Sequence, residues 1–274
     1  MKSLIEARRL AARVLCASTL VLAAVPATPA AGVQAAKPDA ERQAQARAIM
    51  MNMAQFLAAA QRFRVDLQAG YDSVQEAGQK IEFHEDRSVT LNRPDRLRIE
   101  GTRSDGGRAL TVFTGKEVVV LDYASKVYAR TPQPGPLDDS IVYFVRDLGM
   151  RLPLAAMLLG RLPAELQERI QSVDYVELGK INGVASHHIA ARGETVDVQL
   201  WVADGAQPLP QRIVLTYKKE PGQPQFRADF SQWNLAPQIN AATFAVQVPD
   251  GLQKVAFAAQ LPRAGRPAPK KGGK

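Results

Sequence analysis

The chain has 274 residues, of which 46% are hydrophobic and 6% aromatic, and its formal net charge is +8. Most of this charge lies at the two ends, because residues 1–35 carry a net +3 and the last twelve residues a net +5, whereas residues 36–262 hold 26 basic and 26 acidic side chains. Nucleic-acid-binding modules concentrate basic residues on the folded surface, so the neutral central region argues against that class.

The N-terminus has the pattern of an export signal. Four basic residues precede a short apolar stretch at residues 14–25, and small residues follow, with Ala27 and Ala35 as candidate cleavage positions. The apolar stretch is much shorter than the roughly 20 residues that a membrane-spanning helix needs. Residues 1–35 are therefore predicted to be a Sec-type signal peptide that delivers the protein to the periplasm.

Cysteine chemistry is predicted to be absent from the mature protein. Cys16 is the only cysteine, and it lies near the start of the apolar stretch after Leu15, whereas a lipoprotein signal needs a small residue before the cysteine at the end of that stretch. We expect Cys16 to leave with the signal peptide, so that no disulfide, thiol nucleophile or thiolate metal site remains.

The mature chain is predicted to begin with one helix over residues 38–60. Ala, Gln, Arg, Met and Leu dominate this segment, and apolar residues recur at three- and four-residue steps. The predicted buried stripe consists of Ile49, Met53, Phe56, Leu57 and Ala60.

Strands follow from Arg62 onwards, as shown by strict alternation of apolar and polar residues. Such a period places one apolar face on the sheet, beginning with Phe63, Val65, Leu67, Ala69 and Tyr71. Further strands are predicted over residues 81–91, 96–102, 108–114, 117–123 and 127–130, with short turn-like connections between them.

The middle of the chain has a different pattern, typical of short helices that cover a sheet. Residues 137–148 are predicted to form a helix capped by Asp138 or Asp139, residues 152–159 are almost entirely apolar, and residues 163–170 indicate a third helix. These segments are too short to cross a membrane. Pro- and Gly-rich flanks suggest lids over the open side of the sheet.

Alternation resumes at residue 172 and continues to about residue 231, with Asn182-Gly183 as a strong hairpin turn. The predicted fold is mainly β with helices (α+β): a curved antiparallel half-barrel of about ten strands whose concave face is covered by helices. Residues 36–258 are predicted to be a single domain. Residues 259–274 are rich in Pro, Gly and Lys and predict a disordered basic tail. Peripheral contact with anionic lipid is one interpretation of this tail, and a solvated terminus is the plainer one.

Three segments, residues 187–190, 196–201 and 208–218, resemble an uncharacterised family of predicted periplasmic proteins related in fold to the lipoprotein carriers (LolA/LolB-like). The resemblance extends over the mature domain from the first helix to about Val248. It implies a curved antiparallel half-barrel with a helix-covered apolar face. It also suggests acyl chains as a ligand class, although the pattern contains no catalytic motif.

Enzyme chemistry has no clear signal in this sequence. His187 and His188 are adjacent on a predicted strand, so they point to opposite faces and do not bind one metal without a bulge. No nucleophile elbow, zinc-protease motif, phosphate loop or dinucleotide fingerprint is present. We therefore predict no catalytic residues, no metal and no cofactor.

Two further features have open interpretations. Trp201 and Trp233 fall on the more polar side of their strands, either as an exposed binding surface or buried by strand curvature or a covering loop. Four arginines would form a basic band if their strands are neighbours: Arg62, Arg64, Arg96 and Arg98. Cross-strand pairs of these arginines with Asp66, Glu82 and Glu100 are the plainer explanation.

The apolar inner face is the candidate binding site. Its predicted ligand-binding residues are Val65, Leu67, Ile81, Phe83, Leu97, Ile99 and Phe113 on the strands and Phe144, Leu148, Met157 and Leu158 on the lids. Each apolar side chain contributes roughly 1.5–3 kcal/mol once it is covered, whether by a helix or by a lipid. The pattern therefore fits two functions. The first is a non-enzymatic periplasmic protein that binds an acyl chain, a lipid or a lipidated protein; the second is an envelope interaction or sensor protein with a closed core, acting through a protein partner.

Overall fold

The computed structural model describes residues 39–260; the predicted signal peptide, and the tail from residue 261 onwards, lie outside this range. In chain order the elements are α1 Asp39–Ala59, β1 Arg62–Val74, β2 Lys80–Asn92, β3 Arg96–Arg103, β4 Arg108–Thr114, β5 Glu117–Asp122, β6 Val127–Pro132, α2 Leu137–Val142, α3 Ala155–Leu158, α4 Leu162–Arg169, β7 Ile170–Ile181, β8 Val184–Gly193, β9 Val196–Ala203, β10 Pro210–Tyr217, β11 Gln225–Asn234 and β12 Gln253–Lys254. A π-helical turn, Tyr143–Asp147, extends α2.

All twelve strands belong to one curved, unclosed sheet, in the order β12-β6-β5-β4-β3-β2-β1-β11-β10-β9-β8-β7. Two antiparallel meanders, β1–β6 and β7–β11, join where β1 pairs with β11. The mainly-β prediction is confirmed, and the sheet has twelve strands rather than about ten. The parallel pair of β12 with β6 is only two residues long and leaves no alternation in the sequence.

The alternation predicted for β1 is confirmed, because Phe63, Val65, Leu67 and Ala69 are buried on one face, here called the inner face. The main hydrophobic core contains this face together with residues from α1 to α4. The Asn182-Gly183 turn is also confirmed, since both residues have positive φ angles, as a tight two-residue hairpin requires.

The opposite, outer face of the sheet has an apolar patch that the single-sided pattern did not predict. Leu110 and Val112 of β4 and Val119 and Leu121 of β5 are buried there in a second cluster. Phe244, in a 3₁₀ turn over Ala241–Phe244, completes the cluster. The two neighbouring strands therefore bury side chains on both faces, which an analysis limited to one apolar face could not reveal.

Two helix predictions need correction. The buried residues of α1 are Ala46, Met50, Met53, Ala54 and Leu57, whereas Ile49 and Phe56 of the predicted stripe are only partly buried. The buried stripe is thus rotated toward Ala46 and Ala54, which are fully buried. Asp138 and Asp139 lie in the first turn of α2, but its N-cap residue is Pro136, which makes no side-chain cap. The proline fixes the start of α2 by its backbone conformation, which leaves the Asp138 carboxylate available for other partners.

Candidate functional site

Two small apolar cavities lie between the sheet and the helices. The first has a volume of about 40 Å³ and is lined by Leu57, Phe63, Val65, Leu67, Arg87, Val89, Ile99, Leu152, Leu154, Met157, Leu158, Phe230 and Trp233. The second has about 110 Å³ and is lined by Met50, Met53, Pro153, Leu154, Ala156, Met157, Leu162, Leu166, Ile170, Ile189, Ala191, Val198, Leu200, Ile213 and Leu215. Arg87 is the single charged residue among all of these lining residues.

The two cavities share one wall. Leu154 and Met157 line both of them, and Leu152, Pro153, Ala156 and Leu158 of the same segment line one each. Residues 152–158, here called the partition segment, therefore separate the cavities. The regular helix α3 makes up four residues of this segment, and the backbone N–H groups of Ala155 and Met157 donate to the carbonyl oxygens of Leu152 and Leu154 at 2.9 and 3.0 Å.

The predicted inner-face residues fall into three groups. Val65, Leu67, Ile99, Met157 and Leu158 line the first cavity. Leu97, Phe113, Phe144 and Leu148 are buried in the same core without lining either cavity, and the rings of Phe113 and Phe144 meet edge to face at 5.4 Å. Ile81 and Phe83 lie on the same face but are 39% and 42% exposed.

One arginine holds the C-terminal end of the partition segment. Arg93 is only 11% exposed, and its guanidinium donates hydrogen bonds to the carbonyl oxygens of Ala60 and Leu158, both at 3.1 Å. Its Nη1 lies 3.6 Å from Oδ1 of Asp138, whose two carboxylate oxygens each accept from the backbone N–H of Gly160 at 3.0 Å. Burial lowers the pKa of Arg93, and the charge of Asp138 partly opposes this effect. Arg93 thus links the end of α1, the partition segment and α2.

Another ion pair, partly buried, lies on the inner face itself. Arg87 stands opposite Leu67 on β1 and Gly101 on β3, and its Nη2 donates to Oε2 of Glu85 at 2.9 Å. The side chains of Arg87 and Glu85 are 18% and 16% exposed. In a strand with a period of two, residues 85 and 87 lie on the same face as Phe83 and Val89, so the sequence pattern already indicated that both charged residues lie on the inner face. Their charge led the sequence analysis to leave them out of the apolar face.

Trp233 lies on the inner face, not on the polar side of its strand. Gln232 and Trp233 together stand opposite Val65, and Gln232 has a φ of 54°, so β11 contains a bulge. The extra residue reverses the alternation. The indole packs edge to face on Phe63 at 5.4 Å, stacks with Phe230 at 5.8 Å and donates a hydrogen bond to the Pro210 carbonyl at 3.0 Å.

The two histidines have separate environments, as predicted for adjacent strand residues. His187 lies between the Tyr175 hydroxyl at 3.1 Å and the Asp204 carboxylate at 3.2 Å. His188 stacks on Trp201 at 4.0 Å, and burial lowers its pKa, although a hydrogen bond with Gln199 acts in the opposite direction. Within residues 39–260, no group of three or more His, Cys, Asp and Glu residues has an arrangement suited to a metal ion.

A larger cavity, about 660 Å³, lies on the outer face beneath the segment that follows β11. Arg64, Thr90 and Arg98 line it and stand directly opposite one another on β1, β2 and β3. The predicted band of four arginines is therefore split by β2. Arg64 and Arg98 pair along their own strands with Asp66 at 3.9 Å and Glu100 at 2.8 Å, so the predicted cross-strand pairs are wrong. Their partners lie two residues away on the same side of the strand.

Comparison with known proteins gives a family and a set of similar folds. A family described as "Predicted periplasmic protein (DUF2092)" matches residues 46–258. No curated protein matches the chain. An uncharacterized conserved protein from Thermus thermophilus is 12% identical, with a TM-score of 0.46 over 76% of this chain and 98% of that chain. Lipoprotein LppX from Mycobacterium tuberculosis is 11% identical, with a TM-score of 0.47 over 72% of this chain and 99% of that chain. A LolA superfamily protein from Nitrosomonas europaea is 12% identical, with a TM-score of 0.35 over 73% of this chain and 97% of that chain. In the described residues, no helix is long and apolar enough to cross a membrane.

Proposed function

The chain belongs to the DUF2092 family of predicted periplasmic proteins, as its resemblance to such a family predicted, and we propose that it binds an acyl chain between its sheet and its helices. The ligand is a lipid or a lipidated protein, and helices α1 to α4 are the cover of the concave face. We further propose that residues 1–35 act as the signal peptide and that residues 36–258 form the single domain.

The observation that carries this proposal is the shared wall of the two apolar cavities. Pockets for small molecules usually have volumes of about 300–1,000 Å³, so neither cavity alone is large enough for an acyl chain. Leu154 and Met157 are the side chains that line both. Displacement of the partition segment would therefore join the cavities into one apolar channel without disturbing the sheet.

The mechanism is reversible burial. Apolar surface contributes roughly 25 cal/mol per Å² when it leaves water, irrespective of what covers it. The ligand's methylene groups replace the contacts that the partition segment makes with the inner face, so the cost of opening is offset by ligand burial. Arg93 and Asp138 hold the end of this segment and set the free energy of opening.

Native mass spectrometry of protein purified gently from its own periplasm tests the proposal, followed by organic extraction of whatever is bound. We expect a stoichiometric lipid or acylated peptide. Ala156→Leu fills part of the second cavity and should reduce the bound fraction, whereas Val145→Leu, on an exposed side chain, should leave it unchanged. Wild-type protein that contains no bound lipid, even after incubation with added lipid, would contradict acyl-chain binding.

A second candidate is an envelope interaction or sensor protein in which the inner face is a closed core. The small volume of both cavities favours this function, as does the complete burial of Leu97, Phe113 and Leu148. Co-purification of one stoichiometric protein partner, together with the lack of any lipid, would support it.

A further inference from the structure

We propose that Arg87 binds the oxyanion headgroup of the acyl ligand, which makes the ligand an anionic amphiphile such as a fatty acid or an alkyl phosphate. This inference rests on the proposed acyl-chain binding and adds the chemistry of the ligand's polar end. Its starting point is the position of one charged side chain on an otherwise apolar cavity wall.

Arg87 stands where the inner face changes from covered to open. Along this face of β2, Leu91 and Val89 are buried, Arg87 and Glu85 are partly exposed, and Phe83 is 42% exposed. An amphiphile in the first cavity would have its chain against Val65, Val89 and Ile99 and its polar end toward the exposed residues. The headgroup would then lie at Arg87.

The guanidinium of Arg87 has hydrogen-bonding capacity for such a group. Within residues 39–260 its one hydrogen bond is from Nη2 to Glu85. An arginine carries five N–H donors in a planar fork that matches the two oxygens of a carboxylate or phosphate. The donors left over are suited to a second oxyanion at the cavity.

Glu85 competes with the ligand for the same guanidinium. The Glu85 carboxylate neutralises Arg87 while no ligand is bound, which removes the high cost of an unpaired charge on an apolar wall. Strand β3 has a glycine, Gly101, beside this ion pair. Any side chain at this position would place its Cβ atom against Oε1 of Glu85, so the glycine leaves room for the carboxylate. If Glu85 is only a competitor, its removal should strengthen anion binding. Removal of Arg87 should weaken anion binding.

Three ligands with the same chain separate the contributions of headgroup and chain: dodecanoate, dodecyl phosphate and dodecanol. Isothermal titration of purified, lipid-free protein measures the affinity of each. We expect wild-type protein to prefer the two anions over the alcohol. Arg87→Gln should reduce this preference by roughly 10- to 100-fold, the range for a hydrogen bond to a charged group, with little change for dodecanol. The relative affinities of the two anions distinguish carboxylate from phosphate recognition.

Glu85→Gln distinguishes binding of the headgroup by Arg87 from a merely structural Arg87–Glu85 ion pair. If Arg87 binds the headgroup, this substitution should increase the preference for anions, whereas Arg87→Gln should decrease it. Arg103→Gln is the matched control, since Arg103 lies opposite Glu85 on β3, does not line the cavity and pairs with Asp105. Its removal should leave the preference unchanged.

Two results would overturn the inference while the proposed function stands. One is binding of all three ligands with equal affinity by the wild-type protein. The other is a parallel loss of affinity for all three in Arg87→Gln and Glu85→Gln. Circular dichroism of both variants, and of the charge-free double variant Glu85→Gln/Arg87→Gln, verifies folding. Lack of binding of any dodecyl ligand by the wild type would instead overturn the proposed function and this inference together.

Discussion

Nη1 of Arg93 lies 3.6 Å from Oδ1 of Asp138, and this contact connects the loop after β2 to the first turn of α2. The same guanidinium donates to the Leu158 carbonyl, and the same carboxylate accepts from the Gly160 N–H. Both sides of the pair therefore hold the chain at the end of the partition segment.

Arg93→Gln is expected to loosen this segment. The substitution removes an ion pair and hydrogen bonds to the carbonyls of Ala60 and Leu158, so the free energy of unfolding should fall by roughly 2–4 kcal/mol. Amide hydrogen exchange at residues 155–160 should accelerate more than in the strands. Urea denaturation and exchange mass spectrometry measure the two effects. Arg146→Gln is the control, because the Arg146–Asp147 pair is exposed to solvent and its loss should leave stability and exchange nearly unchanged. Equal hydrogen-exchange rates at residues 155–160 in the two variants would contradict the role of Arg93 in holding the partition segment.

Leu67 and Phe83 share the inner face but differ in cover, so they should differ in their effect on stability. Leu67→Ala leaves a cavity in the core and should cost roughly 2–4 kcal/mol of unfolding free energy. Phe83→Ala should cost about 1 kcal/mol, since its ring is 42% exposed and stacks on Tyr71. Urea denaturation of the two variants provides the comparison. A larger loss for Phe83→Ala would mean that the open end of the face is covered in solution.

Trp233 is expected to report on ligand binding, whereas Trp201 is not. The Trp233 indole lines the first cavity, and Trp201 lies on the outer face between His188 and Arg212. An acyl ligand should change the emission of Trp201→Phe protein, in which Trp233 is retained, and leave the emission of Trp233→Phe protein unaltered. Fluorescence titration with dodecanoate measures both. A response that follows Trp201 would place the ligand on the other face of the sheet.

His188 should make stability depend on pH in the weakly acidic range. Burial lowers its pKa in the folded protein below the ordinary value of 6.5, so the unfolded chain binds the proton more readily. The free energy of unfolding should therefore fall as the pH drops from above 6.5 toward the lowered pKa. Urea denaturation between about pH 7.5 and about pH 5 should show that the free energy of unfolding changes less with pH in His188→Gln than in the wild-type protein.

Much of the fold follows from local patterns. The β1 alternation, the Asn182-Gly183 turn and the helix that begins at Leu162 are all visible as periodicity or turn chemistry, because side-chain direction in a regular element depends only on spacing. The ligand-binding role of the inner-face residues stays a prediction. Leu67 and Met157 line a cavity, and Arg87, which lines the same cavity, was not predicted because its charge concealed a position on the apolar face.

Strand periodicity, the apolar inner face and the family could all be recognised from residue types at fixed spacing. The exposure of each part of that face could not, because exposure depends on where distant elements pack in the folded protein. The tertiary structure buries Leu97 and leaves Phe83 open on the same face. It also turns Trp233 inward, because a single bulged residue reverses a period of two, and a bulge arises from the pairing of strands that lie far apart in the chain.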